Sequence, residues 1–328
     1  MKAAWYEKQG PATNVLIVGE MSDLQPDRGE VRVRISASGV NPGDVKKRQD
    51  KFGVGMPFPR VIPHSDGAGT IDMVGEGVPA SRIGERVWCF GAQSYRPFGT
   101  AAVHTVVPSE QAVPLSAKVS FEQGACLGIP GITAHRAVHV AGPVAGRTVL
   151  VQGGAGAVGL CAVALARHAK AHVIATVRSD HDAFLAEQAG AHEVVRTHLL
   201  SSDKVVEHVH TLAPDGVHHV VEVDFGANIA IDEQLLALGG SVATYATGSL
   251  SSSIPFWPLV FKNARIFFLG SDDFPPEAKS MAAAVLNEIL EEGWAGFEIA
   301  ERFPLSAIAE AHEFVECPPR HGRVVITV

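Results

Sequence analysis

The sequence predicts an α/β fold in which a small β domain is followed by a doubly wound parallel sheet. Three observations lead to this prediction. Short β-like runs broken by Gly and Pro occupy the first 124 residues, an apolar strand leads into a glycine string and a long apolar helix within residues 148–178, and strands then alternate with helices as far as residue 271. Such alternation is typical of a parallel sheet with helices on both faces.

The first domain is predicted from its short strands. The runs VRVRISASGV, GAGTIDMV, ERVWCF and AAVHTVV are separated by turn residues, which is the pattern of a small, partly open β-barrel. We expect residues 1–124 to form this domain. Residues 272–328 should complete it, with a helix over 277–292 and a last strand, RVVITV, that returns to the first domain.

The second domain is predicted to cover residues 125–271. Its six apolar runs fit the six strands of a complete doubly wound sheet, with a helix after each of the first four. The strands are TVLVQ, HVIATV, EVVR, HHVVEV, SVATYA and ARIFFLG, and the helices cover residues 158–169, 180–189, 204–213 and 228–238.

The glycine string after the first of these strands indicates a dinucleotide site. Gly154, Gly156 and Gly159 form a G-x-G-x-x-G pattern. In that pattern Gly154 lets the backbone turn, Gly156 leaves room for a diphosphate, and Gly159 lets the helix approach the strand. Free amides and the helix dipole supply positive potential at the helix N-terminus. A bare glycine string is a weak signal in a chain with 33 glycines, but its place between strand and helix predicts a bound nicotinamide nucleotide.

The end of the second strand indicates which nucleotide is preferred. An acidic residue there would bind the ribose 2′-hydroxyl of NADH, but this chain has Arg178 and Ser179. Because a guanidinium pairs with a 2′-phosphate and a hydroxyl donates to it, we expect NADPH. In the alternative interpretation Arg178 is a solvated loop residue and Ser179 caps the next helix together with Asp182. The two interpretations are compatible.

Composition and charge exclude several classes of function. The chain has 27 basic and 35 acidic residues, a net charge of -8 and no long run of either sign, which disfavours nucleic-acid coating or binding to a membrane surface. The opening MKAAWYEKQG lacks the apolar core of a signal peptide, so a cytoplasmic protein is expected. The four cysteines are scattered, and the His135 and His139 pair has no third ligand at zinc spacing, so no metal is expected.

Several spaced motifs resemble one superfamily. The segments GVNPGDVKKR, HSDGAG and GITAHRAV precede the nucleotide unit, between an MKAA opening and an HGRVVITV end. This arrangement resembles the medium-chain dehydrogenase/reductase superfamily, and more narrowly its zinc-free NADPH:quinone oxidoreductases related to zeta-crystallin. The resemblance covers essentially the whole chain. It implies a GroES-like β-barrel catalytic domain and a Rossmann dinucleotide-binding domain.

The resemblance also predicts chemistry without a metal. The zinc alcohol dehydrogenases of the superfamily carry a catalytic Cys where this chain has Asn41, and Gly-His-Glu where it has His64, Ser65 and Asp66. Without a thiolate and an imidazole at those places, a Lewis-acid metal has no ligand set. We therefore expect direct hydride transfer from NADPH to an electrophilic small molecule, a quinone or alternatively an enone.

Four residues are candidates for the substrate site by resemblance. Asn41 would offer an amide donor, Asp44 would orient its loop, and Thr133 of GITAHRAV would contact the nicotinamide or the substrate. Lys46 replaces the tyrosine that related reductases usually have. It would pair with an anionic acceptor or donate a proton to an enolate, or else belong to a solvated basic cluster, and the sequence leaves these roles open.

The resemblance assigns the other cofactor contacts by motif. They are Ala155, Ala157 and Val158 in the glycine turn, Arg196 and Thr197 after the third strand, Asn228 after the fourth, Thr244, Tyr245, Ala246 and Thr247 after the fifth, Leu269, Gly270 and Ser271 after the sixth, and Arg323 near the last strand. Tyr245 is alternatively a core residue, because aromatic side chains in strands are commonly buried.

The sequence also predicts how the protein assembles. The apolar stretch SIPFWPLVFKNARIFFLG would be a costly exposed sheet edge, so a homodimer is expected.

The class of function that competes with an oxidoreductase is a non-catalytic NADPH-binding protein, structural or RNA-associated. The acidic balance argues against RNA, whose phosphates favour faces rich in Lys and Arg.

Overall fold

The computed structural model describes residues 1–317 and 321–328. Its strands are β1 (Lys2–Trp5), β2 (Ile17–Glu20), β3 (Glu30–Val40), β4 (Asp66–Val74), β5 (Arg86–Cys89), β6 (His104–Pro108), β7 (Ala112–Pro114), β8 (Thr148–Val151), β9 (His172–Val177), β10 (Glu193–Arg196), β11 (Val217–Glu222), β12 (Leu236–Thr244), β13 (Arg265–Phe268), β14 (Ile299–Pro304) and β15 (Arg323–Thr327). Its helices are α1 (Ala12–Val15), α2 (Pro42–Arg48), α3 (Phe121–Gly124), α4 (Gly128–His139), α5 (Ala157–His168), α6 (Asp180–Gln188), α7 (Ser202–Leu212), α8 (Phe225–Leu235), α9 (Phe256–Phe261), α10 (Pro276–Glu291) and α11 (Ile308–Glu316).

The chain divides into two compact units, residues 1–129 with 296–328, and residues 130–295. The sequence placed the first boundary at 124/125 and assigned residues 272–328 to the first unit. Helix α10 instead falls within the second unit, where it contacts α5 and buries Leu286 beside Gly131. In the described residues, none of the helices is both long and apolar enough to cross a membrane.

The first unit is built on a sheet with the strand order β14-β15-β3-β4-β5-β7, and β6 also pairs with β3. Strand β3 alternates, with Val31, Val33 and Ile35 buried in the core and the arginines between them turned outward. This period of two is what places one face of a strand against a core. Strand β15 pairs antiparallel with β3, so the last strand returns to the first domain as predicted.

The second unit holds a six-stranded parallel sheet with the order β10-β9-β8-β11-β12-β13. Its central strands are buried apolar runs, as helices on both faces require. The doubly wound fold predicted from the sequence is confirmed. The order reverses between β8 and β11, and in such sheets ligands bind at the carboxyl ends of the strands beside that reversal.

One element of this sheet differs from its prediction. The helix expected over 228–238 begins at Phe225 and ends at Leu235. Strand β12 then starts at Leu236, because Leu236 already pairs with Val217 of β11. Strand pairing therefore overrides the helical pattern of the last residues.

Candidate active site

The turn between β8 and α5 has the shape expected of a dinucleotide loop, but a different glycine makes the turn. The left-handed residue is Gly153, with φ of +66°, and not Gly154 as predicted. Gly154 is needed for contact, since a Cβ there would lie 2.7 Å from the Cβ of Ala175. The amides of Gly153 and Gly154 are bonded inward, to the Oγ1 and carbonyl oxygen of Thr176 at 3.0 and 2.8 Å.

Gly159 plays its predicted part, and a diphosphate contact at Gly156 stays a prediction. A Cβ on Gly159 would lie 2.2 Å from the carbonyl oxygen of Gly153, so helix α5 can approach the turn only with glycine there. A Cβ on Gly156 would meet only that same oxygen, at 3.3 Å, and otherwise open space. Gly156 is the N-cap of α5, and the amides of Ala157 and Val158 belong to its first turn, where no intrahelical acceptor exists. We call this first turn of α5 the anion cradle, because amides without an intrahelical acceptor and the helix dipole favour negative charge there.

Two arginines follow neighbouring strands at the same edge of the sheet. Arg178 is exposed directly after β9, and Arg196 ends β10, where its Nε donates to the carboxylate of Asp180 at 2.9 Å. Ser179 caps α6, because its Oγ accepts from the amide of Asp182 at 3.0 Å. Thr197 donates to the carbonyl of Val177 at 2.9 Å and ties the two strand ends together. The capping interpretation of Ser179 is confirmed, and a phosphate role stays a prediction.

The remaining residues predicted to contact the cofactor follow β11, β12 and β13. Because these strands are parallel, the residues after them lie at the same edge of the sheet as the glycine turn. Two hydrogen bonds connect the ends of these three strands: the amide of Phe225 donates to the carbonyl of Ala246, and the amide of Leu269 to the carbonyl of Thr244, at 3.1 and 2.9 Å. This group comprises Asn228, Thr244, Tyr245, Ala246, Thr247, Leu269, Gly270 and Ser271.

Two members of this group are turned inward. The Nδ2 of Asn228 donates to the Oε1 of Glu222 at 2.9 Å. The hydroxyl of Tyr245 is buried, and burial together with the charge of Glu222 raises its pKa. The buried hydroxyl therefore supports the interpretation of Tyr245 as a core residue.

In the first unit, Asn41 is the centre of a buried network. It is the N-cap of α2, and its amide N–H donates to the Oδ2 of Asp44 at 2.8 Å, so Asp44 orients the start of this helix. The side-chain Nδ2 of Asn41 donates to the Oδ2 of Asp66 at 2.6 Å, and its Oδ1 accepts from the Nη2 of Arg323 at 2.7 Å. Both ends of the amide are thus fixed. Arg323, predicted as a cofactor contact, lies in this network.

Asp66 anchors the network to the first turn of α4. Both of its carboxyl oxygens accept from the amide of Ile129 at 2.9 Å, and a Cβ on Gly128 would lie 2.1 Å from Oδ1, so glycine permits the approach. Burial, assisted by the charge of Asp44, raises the pKa of Asp66 to about 7, against the hydrogen bonds from Asn41 and Ile129. This carboxyl therefore changes protonation near neutral pH.

A second buried chain of hydrogen bonds has a fixed direction. The Nε of Arg48 donates to the Nδ1 of His312 at 3.3 Å, so the proton of His312 is on Nε2, which donates to the Nε2 of His64 at 2.9 Å. His64 then carries its proton on Nδ1 and donates to the Oγ of Ser38 at 2.8 Å. Ser38 donates onward to Thr100, whose hydroxyl donates to the carbonyl of Asp66. The chain ends at the residue that holds Asn41.

The side chains of Lys46 and Thr133, the two other residues predicted for the substrate site, form no hydrogen bond with the network of Asn41 in the described part of the chain. Lys46 is half-buried on α2, and no hydrogen bond or ion pair of its side chain is found among the described residues. Thr133 is buried on α4, in the second unit. The structure leaves both interpretations of Lys46 open.

The donor set around Asn41 does not fit a zinc ion. The residues at the places of the superfamily's ligands are an amide, a serine and a carboxyl, and the amide and carboxyl bind each other. His64 uses both ring nitrogens in the chain described above. Across residues 1–317 and 321–328, no group of three or more His, Cys, Asp and Glu side chains could hold a metal ion.

Several residues of these networks were not found from the sequence. The sequence indicates Asp66 only as a carboxyl in place of a zinc ligand, and only the backbone φ distinguishes Gly153 from its neighbour Gly154 as the left-handed residue. Four polar residues beneath the glycine turn carry no motif at all: Gln152, Thr176, Glu222 and Asp232.

Comparison with known proteins identifies the family. The model of the alcohol dehydrogenase GroES-like domain matches residues 27–117, and the model of the zinc-binding dehydrogenase matches residues 157–284. The quinone oxidoreductase of Rattus norvegicus is 32% identical over 308 residues, which cover 92% of this chain and 90% of the relative. The quinone oxidoreductase of Homo sapiens is 32% identical over 292 residues, with 88% and 85% covered. This chain belongs to the quinone oxidoreductase family.

Solved structures agree with this membership of the medium-chain dehydrogenase/reductase superfamily. A mycobacterial quinone oxidoreductase has a TM-score of 0.84 at 26% identity, with all of both chains covered. A second mycobacterial structure, complexed with NADPH, has a TM-score of 0.83 at 26% identity over the same coverage. The protein is thus a quinone oxidoreductase family enzyme with a nicotinamide-nucleotide-binding Rossmann domain and a GroES-like domain.

Proposed function

We propose that this protein is an NADPH-dependent oxidoreductase that transfers hydride directly to a quinone, without zinc. The observation that carries the proposal is the anion cradle at the first turn of α5, with Arg178 exposed after the neighbouring strand. Membership of the quinone oxidoreductase family supports the acceptor class. NADPH, when bound, supplies the hydride, and the protein supplies binding, orientation and electrostatics.

The cofactor contacts are proposed from geometry at the carboxyl edge of the second sheet. The amides of Ala157 and Val158 would bind the diphosphate, because they lie at a helix N-terminus and donate to no acceptor within residues 1–317 and 321–328. Arg178 would pair with the 2′-phosphate, and its exposure leaves the guanidinium available. Asp180 competes for Arg196, since the two already form an ion pair, so Arg178 should contribute more of the preference for NADPH.

Asn41 would orient the acceptor through its amide. Asp66 uses one Nδ2 hydrogen and Arg323 occupies Oδ1, so the second Nδ2 hydrogen has a fixed direction. A fixed neutral donor can stabilise the oxyanion that develops on a quinone oxygen without paying for reorganisation. The same donor set lacks thiolate and free imidazole, which supports the proposal that the reaction proceeds without zinc.

Oxidation of NADPH in the presence of an acceptor tests this function. We expect rapid, chelator-insensitive loss of NADPH absorbance with 1,4-benzoquinone, and slower loss with a 2-alkenal. A preference for the alkenal by orders of magnitude would replace the quinone proposal. NADPH binding without turnover of any acceptor would make the protein a non-catalytic binder.

Lys46 favours a second candidate, an enone reductase. Reduction of an activated double bond needs a proton for the enolate, and a half-buried lysine without an ion pair in the described residues can donate one. The variant Lys46→Tyr separates the candidates. Loss of activity with enones but not with quinones would support this role for Lys46, and an unchanged acceptor profile would make Lys46 a surface residue.

We also propose a homodimer formed through the edge of the second sheet. Among the described residues, β13 pairs with β12 alone and leaves its other side open. Four large apolar side chains on α9 and β13 are more than half exposed, and such a patch on a sheet edge is costly in a monomer. They are Phe256, Trp257, Phe261 and Phe268.

A further inference from the structure

Two carboxyl groups face each other in the interior of the second unit, beneath the glycine turn. Glu222 ends β11 and Asp232 lies on α8, and both side chains are 0% exposed. They are close enough to hydrogen-bond to each other. Neither residue carries a recognisable sequence motif.

One oxygen of each carboxyl, which we call the outer oxygen, accepts hydrogen bonds. The other, which we call the inner oxygen, accepts none from the described residues. The Oε1 of Glu222 accepts from the Nδ2 of Asn228 and from the amide of Asp224, and the Oδ1 of Asp232 accepts from the Nε2 of Gln152 at 2.8 Å. The inner oxygens, Oε2 of Glu222 and Oδ2 of Asp232, have no donor among the described residues. No lysine, arginine or histidine there forms a hydrogen bond or ion pair with either carboxyl.

A proton held between the two inner oxygens would give both of them a hydrogen-bond partner. Two ionised carboxylates in contact, both out of water, would repel each other and leave two acceptors without a donor. One shared proton removes one charge and turns the contact into a strong hydrogen bond. Burial raises the pKa of both groups, and the charge of Glu222 raises the pKa of Asp232 further, which agrees with a retained proton.

The pair is connected to the glycine turn by hydrogen bonds of fixed direction. Because Asp232 accepts from the Nε2 of Gln152, the Oε1 of Gln152 points the other way and accepts from the hydroxyl of Thr176 at 2.7 Å. The Oγ1 of Thr176 is then left to accept from the amide of Gly153 at 3.0 Å. Gly153 is the left-handed residue on which the turn depends.

We propose that Glu222 and Asp232 share one proton and act together as positioning residues, holding the turn at Gly153 in the shape that accepts the cofactor diphosphate. This inference rests on the proposed NADPH function. Asp232 acts through the amide of Gln152 and the hydroxyl of Thr176, and Glu222 keeps Asp232 in place. Neither carboxyl touches the cofactor.

Infrared spectroscopy of the unliganded protein in D2O tests the shared proton. At a pH well above 7, where Asp66 has ionised, the wild type should show the C=O stretching band of a buried protonated carboxylic acid. The band should disappear in Glu222→Gln and in Asp232→Asn, because one amide in the pair lets the remaining carboxyl ionise. It should persist in the control Glu207→Gln, which changes an exposed carboxylate of the same unit. A wild type without the band would overturn the proposal.

Cofactor fluorescence then tests the positioning role. Glu222→Gln should bind NADPH within about threefold of wild type, because the amide can donate to Asp232 as the acid does. Thr176→Val and Glu222→Leu should weaken binding about tenfold, the effect of losing one buried hydrogen bond. Thr176→Val with its fold intact by circular dichroism and with wild-type affinity would overturn the role. If the wild type itself binds no NADPH, the proposed function fails, while the infrared band still reports on the pair.

Discussion

The Nη2 of Arg323 donates to the Oδ1 of Asn41 at 2.7 Å, across 282 positions of sequence. The contact exists because β15 pairs with β3, whose end leads directly into the N-cap of α2. Asp66 holds the other end of the same amide. The residue expected to orient the acceptor is therefore fixed by two side chains from distant parts of the chain.

Replacing Arg323 should cost stability. In Arg323→Met, the Oδ1 of Asn41 loses its buried donor and Asp66 loses a nearby positive charge, so the free energy of unfolding should fall by about 2–3 kcal/mol. Urea unfolding measures this change in the free energy of unfolding. The matched control is Arg302→Met, because Arg302 forms an exposed pair with Glu122, which should contribute less than about 1 kcal/mol. Equal effects of the two substitutions would contradict the buried network.

Local sequence patterns predict the sheet of the second unit but not this network. The doubly wound sheet could be predicted because each strand and helix carries its own local pattern, and the glycine string lies at the junction of two such elements. The contacts of Asn41 with Asp66 and Arg323 depend on which strands pair, and no local pattern encodes that. The identity of the left-handed glycine was also hidden, since Gly153 and Gly154 are neighbours and only the backbone φ separates their roles.

Substitution of two glycines should separate binding from folding. Gly156→Ala adds a Cβ that points into open space, with its nearest contact at 3.3 Å, so the fold should be kept while NADPH binding weakens about tenfold or more. Gly159→Ala places a Cβ 2.2 Å from the carbonyl of Gly153, and the protein should lose several kcal/mol of stability. Thermal unfolding and cofactor fluorescence measure the two effects. Unchanged NADPH affinity in Gly156→Ala would argue against the cradle.

Cofactor preference should depend on Arg178 more than on Arg196. Arg178→Gln removes an exposed guanidinium that has no ion pair in the described part of the chain, and should raise the KM for NADPH about tenfold with little change for NADH. Arg196→Gln removes a guanidinium already paired with Asp180 and should have a smaller effect. Steady-state kinetics with both nucleotides provides the comparison. If both nucleotides respond equally to Arg178→Gln, the residue does not read the 2′-phosphate.

Buried neutral histidines should make the protein sensitive to mild acid. Burial lowers the pKa of His64 to about 3 and that of His219 to about 4, whereas the unfolded value is about 6.5. Between these values the unfolded state binds more protons, so stability falls as the pH drops through about 6.5, by about 1.4 kcal/mol per histidine at about pH 5.5. Asp66 opposes this trend, because its raised pKa stabilises the fold as the pH falls from about 7 towards about 4.

The variant His64→Gln isolates the contribution of one histidine. Urea unfolding at about pH 7.5 and about pH 5.5 should show a smaller acid loss in the variant than in wild type, by about 1.4 kcal/mol. The control is His181→Gln, which changes an exposed histidine at the start of α6 and should leave the acid loss unaltered. An identical pH dependence in His64→Gln would mean that His64 is not buried in the neutral form.

A charged side chain at the apolar edge of the second sheet should weaken the proposed dimer. Phe268 is 73% exposed at the end of β13, so Phe268→Lys should dissociate a dimer joined at this edge. Sedimentation velocity would detect the change. The control Phe184→Lys alters an exposed aromatic residue on α6. A monomeric wild type, or a dimer indifferent to Phe268→Lys, would place the assembly elsewhere.

The most direct test of the central claim is single-turnover reduction of 1,4-benzoquinone by NADPH carrying deuterium on one or the other face of the nicotinamide C4, with protein stripped of metals by a chelator. We predict full activity and a primary isotope effect with one of the two labelled faces. Loss of turnover after metal removal, or the absence of any oxidation of NADPH, would contradict direct, zinc-independent hydride transfer.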